Sequence, residues 1–547
     1  MRRQVVIGID VGTTAAKVVG FEVLDPRAPG DPGDRGGRGG RGEPGGGPGG
    51  PGGQRVPGSS PGRWTAQQEY PLVRPQSGWR VQDVEVVLDA MLRSLADVVA
   101  QLDGAEVVAV SVSSAMHGLV GLDAAHRPLT PIVTWADARA RETARELRAT
   151  PLAASLHQRS GTPVHSMSPL TKLRWFSRHE PELTRTARSW VGLKDVVLLA
   201  LTGRLVTELS SASGTGLLSI AHRAWDAEAL ELAGVRLDQL PQILSTTASL
   251  PLSPHAAGRV GLPAGTPVVL GAGDGPLGNL GTGAIRPGVA GLSLGTSGAL
   301  RLVVDGPRSD PSGRLFCYAL TDEAWVVGTA ISNGGAVVRW AGSVFAADRP
   351  GSAPDPSAAP VGDADVLALA EQVEPGSEGL VMLPFLLAER GPLWDADLRG
   401  AFLGIRQHHT RGHFVRAAVE GVAFQLATVL DGLDDVTPVS AIRATGGVFR
   451  SALWREVLAG ALARPLVVTG GAEGSALGAA ALGLIGIHAS DGLEPALERL
   501  APGLVDGPGD HDATVVAPEA SSAAYRVARA SVVARLHELA QAAELLS

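Results

Sequence analysis

The sequence predicts an α/β protein built from two duplicated domains, and three observations carry that expectation. The first is a repeat. VVIGIDVGTTAAKVVGF at 5–21 and GLSLGTSGALRLVV at 291–304 both read strand, Gly-Thr turn, strand, with Gly12 matching Gly295 and Thr13 matching Thr296. A unit recurring in both halves of a chain points to duplication. The second is an alternation of near-continuous apolar runs, of the kind buried on both faces of a parallel sheet, with helical stretches carrying one apolar face. The third is size: 547 residues, 44% of them hydrophobic, exceed what a single core supports.

The organising stretch is 267–304, an apolar strand, a Gly-rich turn holding Asp274, a small-residue helix, and the second Gly-Thr hairpin. An acid between glycines just past a buried strand can approach a ligand closely, because its neighbours carry no side chains to hold the backbone off. By spacing alone, Asp274 either does this or caps the helix that follows it. Two Gly-Thr-Thr/Ser hairpins can wrap one polyphosphate from both sides with their amides and hydroxyls. The copies differ in charge: Asp10 stands two residues before Gly12, whereas Ser293 holds that place in the second copy. One carboxylate beside one phosphate loop suits a magnesium-bridged nucleotide.

A net charge of −8 and an isoelectric point near 5.9 argue against nucleic acid or an anionic membrane as the main partner. The one cysteine, Cys317, rules out an internal disulfide framework, and its apolar setting reads as an inert core thiol. No stretch is long and apolar enough to span a bilayer, and Met1-Arg2-Arg3 leads straight into a strand, so the expected location is the cytoplasm.

In chain order, 25–62 is a Gly/Pro/Arg-rich insert with almost no apolar content, expected to be a disordered, solvated loop between two strands. Its RGGRGGRG core invites an RNA-binding reading, but it has no aromatics for stacking and its five arginines face four acids. Residues 63–73 read as a strand and 84–102 as a helix with one buried face. The strand at 106–112 delivers Met116 and His117 at its carboxyl end, where open α/β sheets place their ligands. His117 there either bonds a substrate hydroxyl or carboxylate or has no role. The strand at 132–134 leads to Trp135, Asp137 and Arg139. These suit a polyhydroxylated ligand, with the alternative that Asp137 and Arg139 pair with each other at the start of a helix. A helix over 167–179 leaves Lys172 pointing into solvent, 191–201 is a further helix, and the first domain is expected to end at 262.

In the second half, a strand pair around 316–328 precedes Ile331-Ser332-Asn333-Gly334-Gly335, which either starts a helix or approaches a ligand. Residues 347–364 read as a surface loop. Thr410 caps a helix over 412–435; His409 and His413 have metal-like spacing but lack a third ligand nearby, which makes them helix-start residues. A strand ending at Gly446-Gly447 leads into a helix over 451–463, a turn against which an adenine or ribose can lie flat. Residues 473–478 open another small-residue helix.

Together these motifs resemble the FGGY family of carbohydrate kinases over nearly the whole chain outside the 25–62 insert. Met167-x-Pro169-x-x-Lys172-Leu173-x-Trp175-Phe176-x-Arg178-His179 is similar to one family signature, and Gly400-x-Phe402-x-Gly404-Ile405 with 413–420 to the other. The resemblance implies the duplicated actin-like, ribonuclease H-like ATPase fold with a central cleft, divided into domains 1–262 and 263–547. It implies ATP and Mg2+ as cofactors, with Asp10 (facing the metal through water), Gly12, Thr13, Thr14 and Lys17 as the first phosphate loop. Gly295 and Thr296 would form the second, Gly446 and Gly447 the adenosine site, and Asp274 the general base.

The runs AMHGLVGLD, TWADAR, HSMSPLTKLRW and ISNGG resemble the gluconate-phosphorylating branch of the family. They imply Met116, His117, Trp135, Asp137, Arg139, Asn333 and Asp274 as substrate contacts, and a homodimer is compatible with them. The family's usual Gln before Met-His is Ala115 here, and the TWADNR-like run departs at Ala138. A cation facing the pocket, such as Arg139, Lys172 or Lys194, would favour the carboxylate of gluconate. A pocket of acids and amides would favour a neutral sugar such as xylulose, ribulose or glycerol. A non-catalytic nucleotide-binding protein of the same fold is the remaining alternative.

Overall fold

The computed structural model describes residues 3–24, 61–346, 363–470, 474–505, 514–518 and 522–544. The insert expected at 25–62 lies outside these residues except for its last two positions, as do most of the 347–364 loop and Glu473.

The first sheet has six strands: β1 (Gln4–Val11), β2 (Ala15–Glu22), β3 (Arg63–Glu69), β4 (Glu106–Ser114), β5 (Ser249–Pro251) and β6 (Pro267–Val269). Their spatial order is β3-β2-β1-β4-β6-β5; β1, β2 and β3 form an antiparallel meander, β1, β4 and β6 run parallel, and β5 returns antiparallel. The second sheet has β7 (Val289–Leu294), β8 (Gly298–Val304), β9 (Phe316–Ala319), β10 (Trp325–Ile331), β11 (Ala441–Thr445), β12 (Leu466–Val468) and β13 (Thr514–Val516). Its order is β9-β10-β8-β7-β11-β12-β13, with β7, β11 and β12 parallel. Apart from the extra edge strand β9, the two sheets have one topology, with β1 matching β7 and β2 matching β8. The duplication expected from the Gly-Thr repeat is therefore present in the backbone.

Strand alternation sorts the two faces of the first sheet. Val5, Ile7, Ile9 and Val11 pack with Val87, Met91 and Leu95 of helix α1 (Val84–Gln101). On the opposite face Val6, Val19 and Ala109 meet Ala476, Ala479, Ala480 and Leu484 of a helix from the far end of the chain, Gly474–Gly486. Glycine at position 8 lets that helix sit against β1: a Cβ there would stand 2.0 Å from the Ala476 carbonyl oxygen. Because β6 pairs with β4, the first sheet draws on chain beyond 262, and the boundary expected there falls inside the first half. We propose instead that the halves divide after the helix that follows β6.

That helix, α2 (Asp274–Leu280), begins at the carboxyl end of β6 and leads into β7, so 267–304 joins the two sheets. Other helices start as the capping chemistry predicts. Ser168 caps Pro169–His179, Thr410 precedes Arg411–Val436, and Ser451 caps Ala452–Leu462. His413 accepts a hydrogen bond from the Thr410 amide through Nδ1 (3.1 Å), which accounts for its position at a helix start. No described helix is long and apolar enough to cross a membrane. Cys317 is buried on β9, and burial pushes its thiol up to about 12.

Candidate active site

The carboxyl ends of the central strands of both sheets open onto one cleft of about 500 Å3. The β1–β2 turn contributes Asp10, Thr13 and Lys17, the β7–β8 turn Ser293, Gly295 and Ser297, and the start of α2 contributes Asp274 and Gly275. Met116, His117, Trp135, Thr445 and Gly446 complete the part of the lining that was legible in the sequence.

The two hairpins close alike. The Gly12 amide donates to the Ala15 carbonyl and the Gly295 amide to the Ser297 carbonyl, both at 2.9 Å. Tyr70 Oη donates to the Gly12 carbonyl (2.8 Å) and Gln82 Nε2 to the Thr13 carbonyl (2.6 Å), which fixes the first turn. The Gly295 carbonyl accepts from the Gly335 amide at 2.7 Å, which fixes the second. Asp10 accepts from Ser113 Oγ (2.8 Å) and faces Lys17 across the β1–β2 register. Burial, and next the nearby Asp274 carboxylate, push Asp10 up to about 6. The charges of Lys17 and Lys194 offset that rise only in part, which leaves this corner able to take a divalent ion.

Asp274 does not cap α2, whose N-cap is Gly273 with no side-chain cap bond; it is the first residue of the helix, accepts from the Gly275 amide at 2.8 Å, and lines the cleft. Burial raises its carboxyl above the ordinary range, opposed first by the charge of Arg301. His117 has φ 65°, and its Nδ1 lies 2.8 Å from the Gly214 carbonyl, so Nδ1 carries the proton and Nε2 offers a lone pair. Burial holds the ring neutral, at about 3. A neutral acceptor can take a hydrogen bond from a hydroxyl and has no proton on Nε2 to give a carboxylate. Trp135 Nε1 donates to Thr13 Oγ1 at 2.9 Å, tying the aromatic wall of the cleft to the first turn.

Several expected site residues stand elsewhere. Asp137 and Arg139 are not in the lining. They form a two-pronged ion pair (2.8 and 3.0 Å), Asp137 also accepts from the Arg80 amide (2.7 Å), and the Arg139 guanidinium lies 3.6 Å above the Trp79 ring. Both Asp137 oxygens are taken by neighbours, and the pairing alternative is the one realised. Asn333 is fully buried and spends its amide on Leu387 and Glu389, bracing the loop that carries Arg390. Thr14, Thr296 and Gly447 are exposed and outside the lining; Thr296 Oγ1 accepts from Arg339 (2.9 Å). Gly446, with φ 124°, approaches Leu294 so closely that a Cβ would lie 2.1 Å from its carbonyl oxygen.

Neither of the two lysines that would favour gluconate by facing the pocket lines it. Lys172, expected in solvent, is fully buried and donates to the carbonyls of His117, Val133 and Thr134 (2.6, 3.2 and 2.8 Å), while burial pulls it down to about 7. Lys194 donates to Val112, Leu270 and Ala272 and pairs with buried Glu208 at 3.2 Å. It thereby pins the ends of β4 and β6 just before Asp274. The cations that do line the cleft are Lys17, Arg301 and Arg390, and sequence reasoning missed both arginines, as it missed Tyr318 and Trp394 beside them. Arg301 was detectable as the only charge in the apolar strand GALRLVV. Arg390 lies in an irregular loop that offered no such signal.

A duplicated α/β fold whose two Gly-Thr turns and two aspartates, Asp10 and Asp274, meet in one cleft is the architecture of a carbohydrate kinase, the class that the comparisons show. The N-terminal domain model of the FGGY family of carbohydrate kinases matches residues 64–281 and the C-terminal domain model 290–487, so the chain belongs to that family. The chain is 39% identical to the gluconokinase of Bacillus subtilis (strain 168), over 76% of this chain and 81% of that protein. It is 32% identical to the xylulose kinase of Escherichia coli (strain K12), over 78% of this chain and 86% of that one. The crystal structure of gluconate kinase from Lactobacillus acidophilus superposes with a TM-score of 0.84 at 29% identity, covering 100% of both chains.

Proposed function

We propose that this kinase transfers the γ-phosphoryl group of ATP to the terminal hydroxyl of D-gluconate, giving 6-phospho-D-gluconate. The observation that carries the reading is the position of Asp274, at the head of α2 between the two Gly-Thr turns and within the field of two cleft arginines. Likeness to gluconokinases supports the choice of sugar acid, and a neutral ketopentose is the competing substrate, favoured by the likeness to xylulose kinases.

In this reading the turns at Gly12–Thr13 and Gly295 hold the phosphates with backbone amides, and Gly446 offers a flat approach for the adenosine. Asp10 is the residue that would face the magnesium ion through water, and the ion's chemistry is to neutralise phosphate charge. The buried Asp274, its basicity raised by burial, accepts the proton of the attacking hydroxyl as the new O–P bond forms and the bond to the ADP oxygen breaks. His117 Nε2 accepts from another sugar hydroxyl, and Trp135 and Met116 form the apolar wall that excludes water. A site of this kind must be closed before it reacts, because open phosphoryl transfer would go to water, and closure over the bound sugar meets that need.

The test is ADP release from MgATP with gluconate, xylulose, ribulose and glycerol, using the native chain and Asp274→Asn. Gluconate-dependent turnover in the native protein, reduced at least about a thousandfold in the variant with ATP binding retained, is the expected result. Near-native turnover by Asp274→Asn would remove it as the base, and turnover on a neutral compound alone would replace the substrate.

A further inference from the structure

Two guanidinium groups line the cleft with hydrogen-bonding capacity left over. Arg301 projects from β8, its Nε is buried without a partner, and its closest polar neighbour is Ser293 Oγ at 3.5 Å, at the head of the second Gly-Thr turn. Arg390 is held differently. Its Nη2 donates to the Ile331 carbonyl (2.8 Å) and its Nε to Ser332 Oγ (3.2 Å), and its guanidinium carbon lies 4.8 Å from the centre of the Trp135 ring. Its Nη1 donates to no described residue.

The neighbouring carboxylate does not satisfy Arg390. Glu389 is fully buried and accepts from the amides of Ser332 and Arg390 and from Asn333 Nδ2 (2.7, 2.8 and 2.6 Å). It locks the loop and leaves the guanidinium free to face the cleft. Arg390 is half-buried in the cleft wall, so its spare donors are open to an anion that enters. The cleft receives two kinds of anion: the phosphates, and any acidic group on the sugar. Arg301 leans on the phosphate turn and acts on Asp274 more strongly than Arg390 does. Arg390 lies against Trp135, on the wall where the sugar would stack.

We propose that Arg390 is the specificity-determining residue that binds the carboxylate at the non-reacting end of an aldonic acid, leaving Arg301 to the phosphate side. The proposal rests on the gluconate reading above and deepens it. A planar fork pre-oriented by two bonds and an aromatic face matches a carboxylate, and a neutral ketose or polyol would leave it unpaired.

The experiment compares kcat/KM for D-gluconate with that for D-gluconamide, which differs only in carrying an amide in place of the carboxylate. The native enzyme should prefer gluconate by about 100-fold, and Arg390→Gln should bring that ratio below about threefold, whereas Arg301→Gln should lower turnover and keep the ratio. Thermal stabilisation by MgATP checks that each variant is folded. Should Arg390→Gln fail that check, Arg390→Lys, which keeps the charge and loses the fork, should give an intermediate ratio. An unchanged ratio in the Arg390 variants, or a collapse in Arg301→Gln instead, overturns the assignment. A native enzyme active on xylulose but on neither gluconate nor gluconamide removes the gluconate reading, and the inference with it.

Discussion

Asp10 offers a prediction in which stability and activity move in opposite directions. Its carboxyl ionises near 3.8 in the unfolded chain and at about 6 in the folded one, because burial and the Asp274 charge oppose the anion. Between those values the folded state holds a proton that the unfolded state has lost, so stability falls as pH rises from about 4 to 6 and is level above that. A shift of roughly two units at ~1.4 kcal/mol each sets an upper bound of ~3 kcal/mol on the cost at neutral pH. Asp10→Asn keeps an oxygen for Ser113 and never ionises. The ligand-free variant should therefore be more stable than the native protein at pH 7.5, by ~1–3 kcal/mol, and about equal to it near pH 4. Its MgATP-dependent turnover should meanwhile fall by at least about 100-fold. Denaturant unfolding at pH 4.5, 6 and 7.5, without nucleotide or metal, makes the measurement. A variant no more stable than the native protein at pH 7.5, or one with the same loss between pH 4.5 and 6, would refute the reasoning about a carboxylate short of a cation.

Two further outcomes follow from buried groups. Lys194→Met leaves Glu208 buried and uncompensated and removes the donor to three strand-end carbonyls, so it should cost ~3–5 kcal/mol in unfolding free energy; a loss below ~1 kcal/mol would mean that the pair is not the brace described. His117 titrates at about 3 and stays neutral throughout the working range, so the pH–rate profile of His117→Asn should keep the native shape at lower height, and disappearance of a limb between pH 5.5 and 8 would assign that limb to His117.

What the sequence disclosed is local. The Gly-Thr turns, Asp10, Asp274, Met116, His117 and Trp135 were found because a strand followed by Gly or by a short polar loop fixes where the next side chain goes. Helix starts at Ser168, Thr410 and Ser451 were legible for the same reason. The remainder depended on partners remote in the chain. Lys172 read as solvated, and the place of Lys194 was not legible, because nothing nearby in sequence reveals that carbonyls at the ends of β4 and β6 and at 117 and 133–134 converge on them. Asp137 and Arg139 had two chemically sound uses, and only the position of Trp79 under the guanidinium decides between them. Arg390 owes its place to Ser332, Asn333 and Glu389, more than fifty residues apart at the extremes.

The helix Gly474–Gly486, seated on β1 through the glycine at position 8, bears on how the protein is made. The strands of the first sheet are complete once residue 269 has left the ribosome, but one face of that sheet waits for residues 476–484. At ~5–20 residues per second that interval lasts roughly 10–40 seconds. During it Val6, Val19 and Ala109 lack the helix that packs on them in the folded protein. The two halves therefore cannot mature one after the other as beads on a string. The N-terminal half is finished only by a helix made about two hundred residues later, and a nascent protein cut short before that helix keeps an apolar sheet face open to aggregation or to a chaperone.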